Sequence, residues 1–412
     1  MNIYFFDSSK FYLEGYSLSK VIGSGMSSVV LECLHANSGS KVAIKVISKT
    51  FVDVESRLNR LFREINIMKS IYHPLIIQLY QVIEVKDFFY LISEFAVNGS
   101  LGEKLEKFGS FTEQNVRKYF TQIFCVLEYL HQTAHIAHRD IKAENILIDS
   151  FNNIKVIDFG FSSSFSQENP TFDSTCGSLC MFFLPEILVL FVLTPDYFPP
   201  EIIKGLPYSN AADIWSFGVL MYYLCVGQLP FQGSDFQQTL QKILFAQPSF
   251  PSSVPIMLRD LISRMLTKSQ DQRITLQGIK EHQWFSPRDY NSLLQAISRS
   301  APDFSFSPTI ASQMMNLGID ISTLKPKLFH RELDHITTTY RIRWRSEILN
   351  ELSESLNHSR TRSDTLQCSS QNPCDLEEES NEPPEPAIYQ AKKTRSIRAF
   401  SSKCYPVQLS DL

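Results

Sequence analysis

His138-Arg139-Asp140-Ile141-Lys142-Ala143-Glu144-Asn145, followed after a strand-like run by Asp158-Phe159-Gly160, is the stretch on which the reading of this chain turns. It crowds carboxylate, amide and ammonium groups into two short turns beside apolar sequence. Working outward, Val42-Ala43-Ile44-Lys45 puts another ammonium inside an apolar strand. A charge there is costly unless it finds a partner. Glu64 is the nearest candidate: it lies on a helix expected over Ser56–Ser70, whose stripe Leu58, Leu61, Phe62, Ile65 and Met68 should face the same sheet. From these residues alone, a lysine that lays its stem on the sheet and keeps its head in water is an open alternative.

Further out, Gly23-Ser24-Gly25-Met26-Ser27-Ser28-Val29-Val30 lies between two strand-like runs. Small residues let such a backbone close over phosphates, and Val30 could pack on a purine. An ordinary hairpin turn has the same composition, and Ser28 stands where a phosphate-binding glycine loop usually has its third glycine. From Tyr16 to about Lys49 alternating apolar positions predict antiparallel strands, and Phe89–Phe95 predicts another. Thr112 reads as the N-cap of a long helix carrying Val116, Tyr119, Phe120, Ile123, Leu127 and Leu130, and helices dominate from there to Phe285.

In this chain order the five elements resemble the eukaryotic protein kinase domain, over about Tyr16–Phe285. The resemblance implies an α+β, bilobal fold with a small β-rich lobe and a large helical lobe. It also implies transfer of the γ-phosphate of Mg-ATP to hydroxyls of protein substrates. Lys45 would hold the α- and β-phosphates and Glu64 would position it; Asp140 would accept or orient the proton of the incoming hydroxyl. Asn145 and Asp158 would hold Mg²⁺, and Lys142 would steady the γ-phosphate. A lysine at that position resembles the serine/threonine pattern. The nucleotide is expected against Ile22, Gly23, Ser24, Gly25, Ser28, Val30, Ala43, Lys45, Ser93, Glu94 and Ala96. Ser93 stands where most of the family has a larger residue, which implies room for bulky adenine analogues. His138 is expected to be a buried structural residue, since the base role falls to Asp140.

Downstream, Asp213-Ile214-Trp215-Ser216-Phe217-Gly218 resembles the central helix of the large lobe. Arg273 resembles the arginine that pairs with the glutamate of the Ala-Pro-Glu motif, which here reads Pro199-Pro200-Glu201. Ser174-Thr175-Cys176-Gly177-Ser178-Leu179-Cys180 looks like the phosphosite and substrate-docking loop of the calcium/calmodulin-dependent group, AMP-activated-kinase-like. Phosphate on Ser174 or Thr175, placed by an upstream activating kinase, would add about −1.5 to −2 charge for Arg139 to pair with. The apolar stretch Met181–Asp196 then interrupts the family spacing. It reads as an insertion packing on the large lobe or a partner, or as a short intron translated in frame. Leu184-Pro185-Glu186 imitates the glutamate motif but sits one residue too far from Gly177. A pseudokinase or scaffold, its docking loop disrupted by residues 181–196, is the alternative function.

The 412 residues carry a formal net charge of −4, which creates no field drawing the chain to nucleic acid. Eight cysteines without metal-ligand spacing and no secretory signal in Met1–Lys10 suggest a reducing compartment, the cytoplasm, with the nucleus also open. No transmembrane segment is expected: Met181–Pro195 is short of the roughly 20 residues a spanning helix needs, and Pro185 and Glu186 interrupt it. Residues 1–15 read as an N-terminal extension. Residues 309–352 resemble the ubiquitin-associated-type domain that follows AMP-activated and microtubule-affinity-regulating kinases. Residues 353–412, rich in Ser, Glu, Asn and Pro, are expected to be disordered.

Overall fold

A computed structural model describes residues 11–24, 28–52, 55–165, 195–300 and 306–368. The chain divides into two units, Met1–Ser363 and Asp364–Leu412; of the second only a helical end, to Cys368, is described. The expectations for Gly25, Ser174, Thr175, most of Met181–Asp196 and the tail past Cys368 lie outside the described residues.

The small lobe is a five-stranded antiparallel sheet of β1 (Tyr16–Ser24), β2 (Ser28–His35), β3 (Lys41–Ser48), β4 (Leu79–Glu84) and β5 (Phe88–Glu94), in the order β1-β2-β3-β5-β4. Period-two alternation sends Val42, Ile44 and Val46 into a core with Leu31, Cys33 and Ile92. Ala43 and Lys45 take the other face. Phe11 and Leu13, from the expected extension, pack on that core as well, so the lobe begins before Tyr16.

Helix α1 (Glu55–Ser70) buries Leu61, Glu64, Ile65, Ile67 and Met68. Phe62 was expected in this stripe but is 43% exposed, resting edge-on against Phe89. The buried arc is centred on Leu61, Glu64, Ile65 and Met68, which recur three and four residues apart, and Phe62 falls at its rim.

In the large lobe, α2 (Leu101–Phe108) starts with a capping box between Ser100 and Glu103, and α3 (Glu113–Glu128) starts where the Thr112 side chain accepts from the Asn115 amide. After one wider turn, Tyr129–Ala134, the chain enters β6 (Ile136–Ala137); β7 (Ile146–Ile148) pairs with β8 (Ile154–Val156), and β6 with β9 (Ser163–Ser164). The two short ladders hold the loops that carry the key residues. The helix Ala211–Val226 runs through the middle, with Trp215 and Phe217 fully buried.

Past the large lobe lie three helices, Pro308–Asn316, Leu324–Phe329 and His335–Cys368. Ile310, Met314, Leu324, Leu328, Tyr340, Trp344 and Ile348 form a small core of their own. The last helix runs on to Cys368, past the boundary at residue 352 and into sequence expected to be disordered. Leu352 is fully buried and Leu356 packs on the main core, so the start of that stretch has apolar anchors its composition obscures.

Candidate active site

Asp140 sits on the loop between β6 and β7. Lys142 Nζ donates to both of its carboxylate oxygens, at 3.0 and 2.9 Å, and Asn145 Nδ2 donates to Oδ2 at 2.7 Å and to the Asp140 carbonyl at 2.9 Å. Burial pushes the Asp140 carboxyl up against the pull of Lys142, in the direction a proton acceptor needs.

A second carboxylate shapes the loop. Asp213, fully buried on the Ala211–Val226 helix, accepts from the backbone amides of His138 (2.8 Å) and Arg139 (2.7 Å) and lies 2.7 Å from His131 Nε2. Arg139 has φ +65°, the left-handed region that a non-glycine residue enters at a cost of about 1–3 kcal/mol. Asp213 grips the amide of that same residue, which explains how the conformation persists. The His138 ring is buried against Phe159, with Nδ1 accepting from the Asp140 amide at 3.3 Å and Nε2 beside the Ile157 carbonyl at 3.2 Å. Burial pulls its pKa down, so the ring is neutral and structural.

Asp158 also has positive φ (+65°), and its Oδ1 accepts from the Gly160 amide at 3.2 Å. Across the cleft, Lys45 Nζ lies 2.9 Å from Glu64 Oε1 and joins β3 to α1. Burial pulls the Lys45 ammonium down, but Glu64 and Asp158 more than offset it. Likewise burial pushes Asp158 up, and Lys45 with the Gly160 amide brings it below the usual carboxylate range. Both groups are therefore charged. Arg60 donates to the Gly160 carbonyl at 2.8 Å and lies over the Phe161 ring, tying α1 to this turn.

Above the cleft, Ile22 is 41% exposed near the end of β1, Gly23 faces Val30 across the β1–β2 ladder, Ser24 ends β1 and Ser28 begins β2. On β5, Ser93 lies opposite Ala43. Glu94, expected at the nucleotide, turns its side chain away into the protein, so only its backbone can face a ligand.

The donor set fits a magnesium ion brought by phosphates. Asn145 spends its amide nitrogen on Asp140, which leaves its carbonyl oxygen, and Asp158 supplies a carboxylate. These are the few hard donors magnesium takes alongside phosphate oxygens. Among the described residues no group of three or more His, Cys, Asp or Glu forms a ready-made cage.

At the far side Arg273 forks onto Glu201, at 2.7 and 2.9 Å, with both buried. Pro195–Tyr197 forms a short turn that includes the last two residues of the interrupting segment; the Tyr197 hydroxyl lies 3.5 Å from the Ala143 amide. Arg139 donates to the Phe161 carbonyl and the Tyr208 hydroxyl. Sequence reasoning missed the gripping role of Asp213, although its motif was in view, and the Arg60 bond, for which no motif exists.

A family model described as the protein kinase domain matches residues 16–285. Serine/threonine-protein kinase SIK2 of Gallus gallus is 35% identical over 331 residues, covering 79% of this chain and 39% of that protein. Serine/threonine-protein kinase SIK1 of Rattus norvegicus is 34% identical over 336 residues, 79% of this chain and 40% of the relative. The chain thus spans about two fifths of the length of the curated relatives it matches. Because the matched span contains the whole constellation built around Asp140, Lys45 and Asp158, the chain belongs to the protein kinase family.

Proposed function

We propose that this chain is a protein serine/threonine kinase, moving the γ-phosphate of Mg-ATP to hydroxyls of protein substrates. The observation that carries the reading is the set around Asp140: a carboxylate with raised pKa, bracketed by Lys142 and Asn145, in a chain that also pairs Lys45 with Glu64. Phosphoryl transfer asks a protein mainly to align two reactants and to neutralise charge spreading over phosphate oxygens. Asp140 orients the incoming hydroxyl and takes its proton. Lys142 steadies the transferring group, and Lys45, held by Glu64, fixes the other phosphates. Asn145 and Asp158 would hold magnesium, which would supply neutralisation of phosphate charge when bound. The intact set speaks against a silent scaffold.

The relatives named serine/threonine-protein kinases support the choice of hydroxyl, as does Lys142. Phosphorylation of Ser174 or Thr175 by an upstream kinase, read out by Arg139, completes the proposal, and the helices after Pro308 form the ubiquitin-associated-like module. No described helix is long and apolar enough to cross a membrane. The test is labelling of a mixed Ser, Thr and Tyr peptide library by purified protein with Mg-ATP. Label on Ser or Thr is expected. Label confined to Tyr, or none from material phosphorylated at Ser174 and Thr175, contradicts the proposal.

A further inference from the structure

Arg345, on the His335–Cys368 helix, is 1% exposed and spends its whole guanidinium on the kinase lobes. Nε and Nη2 donate to Glu94 Oε2 at 3.0 and 2.8 Å; Nη1 donates to the His73 carbonyl at 3.2 Å; Nη2 also reaches the carbonyls of Pro74 (3.0 Å) and Ile76 (2.6 Å). Glu94 is the last residue of β5 and begins the connection between the lobes. Its other oxygen takes Lys155 Nζ at 2.6 Å, and its Oε2 also accepts from the Gln78 amide at 3.2 Å. The helix is seated independently of the arginine: Thr338 donates to the Tyr80 carbonyl at 3.0 Å, and Ile342 is part of the small-lobe core with Leu31, Val42 and Ile44.

We infer that Arg345 is a positioning residue for nucleotide binding, a clamp by which the helix after the kinase domain holds the connection between the lobes at Glu94. The charges explain the need. Glu94 and Asp149 face Lys155 and Arg345, two anions against two cations with almost no access to water. Without Arg345 the cluster keeps an excess negative charge, the Ile76 carbonyl loses this donor, and the His73 and Pro74 carbonyls fall back on the Ile76 amide and Lys155 Nζ. Such groups are not left buried and unpaired; the backbone shifts to reach water instead. The backbone in question, residues 73–78 and 94–96, supports the adenine side of the cleft. The inference rests on the proposed nucleotide site.

The full chain is the material for the test, as wild type, Arg345→Met, Arg345→Lys, and Glu94→Gln combined with Arg345→Met. Affinity for the non-hydrolysable ATP analogue AMP-PNP with Mg²⁺, KM for ATP, kcat, and amide exchange at residues 73–78 and 92–98 are measured. Coupling between two sites usually amounts to about 5- to 150-fold. Arg345→Met should sit near the low end, about tenfold weaker, with KM for ATP rising by more than kcat falls and exchange accelerating at both segments. Arg345→Lys keeps the charge without the fork and should fall between, which secures the test should the methionine variant not fold. The double variant removes one charge of each sign and should bind more tightly than the sum of single losses allows. Unchanged affinity and exchange in a folded Arg345→Met or Arg345→Lys protein overturns the inference. Because exchange needs no activity, faster exchange in the Arg345 variants supports the clamp even if wild-type protein phosphorylated at Ser174 and Thr175 transfers no phosphate, a result that removes the kinase reading alone.

Discussion

Two charge pairs, one half-open and one buried, flank strands β3 and β5, and they are built differently. On the cleft side Lys45 and Glu64 share one bond of 2.9 Å, with the lysine side chain 32% exposed. On the far side Glu94 meets Arg345 and Lys155 in a network closed to water, in which Arg345 alone makes five hydrogen bonds. Under the proposed function the first pair presents a cation to an arriving phosphate, which its open, singly bonded geometry suits. The second has nothing to bind and holds backbone in place. Their difference teaches that similar ion pairs can be devoted to chemistry or to architecture, according to what surrounds them.

Conservative neutralisation on each side separates the two pairs most sharply. Glu64→Gln should lower kcat/KM on the order of 10²-fold, the scale of losing one preorganised electrostatic partner, while denaturant unfolding shifts by about 1 kcal/mol or less. Arg345→Met should do the reverse in proportion: stability falls by about 3–5 kcal/mol, the usual consequence of leaving one partner of a buried pair alone. Urea titrations and steady-state kinetics on the two variants check both. Equal stability losses would erase the distinction.

A smaller effect should appear with acid. His73 lies beneath the clamp; burial pulls its pKa down to about 3, helped by Arg345 and then Lys155, and its Nδ1 accepts from the Leu75 amide. A histidine depressed in the fold binds its proton in the unfolded chain first, so stability is full above about pH 6.5 and is lost as pH falls below it. The decline is at most about 1.4 kcal/mol per pH unit for one such group. His35, pulled down to about 4 by burial, adds to it. Unfolding midpoints at pH 7.5, 6.5 and 5.5 measure the slope, and His73→Gln should flatten it. The smallest change expected is at Ser93: an ATP analogue with a bulky N6 substituent should compete with ATP, and Ser93→Met should abolish that competition. Competition assays decide.

What could be read beforehand follows the same division. The site around Asp140 was legible because its residues are contiguous, and Lys45–Glu64 because one strand and one helix stripe bring the two together from positions 19 apart. Arg345 and Glu94 are 251 positions apart, and an arginine among Tyr340, Ile342 and Trp344 looks like any solvent-facing residue of an amphipathic helix. Only the docking of that helix turns it inward. Asp213 was visible as part of a motif, but that it holds two amides of the strained His138–Arg139 turn depends on three-dimensional closure. Phe62 and the helix past residue 352 were misread because periodicity marks a face without showing how wide the contact is or how far a neighbour extends.

In the proposed reaction Asp140 would act on a nucleotide gripped by Lys45 and a magnesium ion. Single-turnover phosphotransfer by wild type and Asp140→Asn, at saturating Mg-ATP and with nucleotide affinity measured on the same samples, tests it most directly. The account predicts a fall in the transfer rate of 10²-fold or more, on the order seen when a charged catalytic partner is removed, with affinity changed by no more than a few-fold. Equal transfer rates in the two proteins would contradict it.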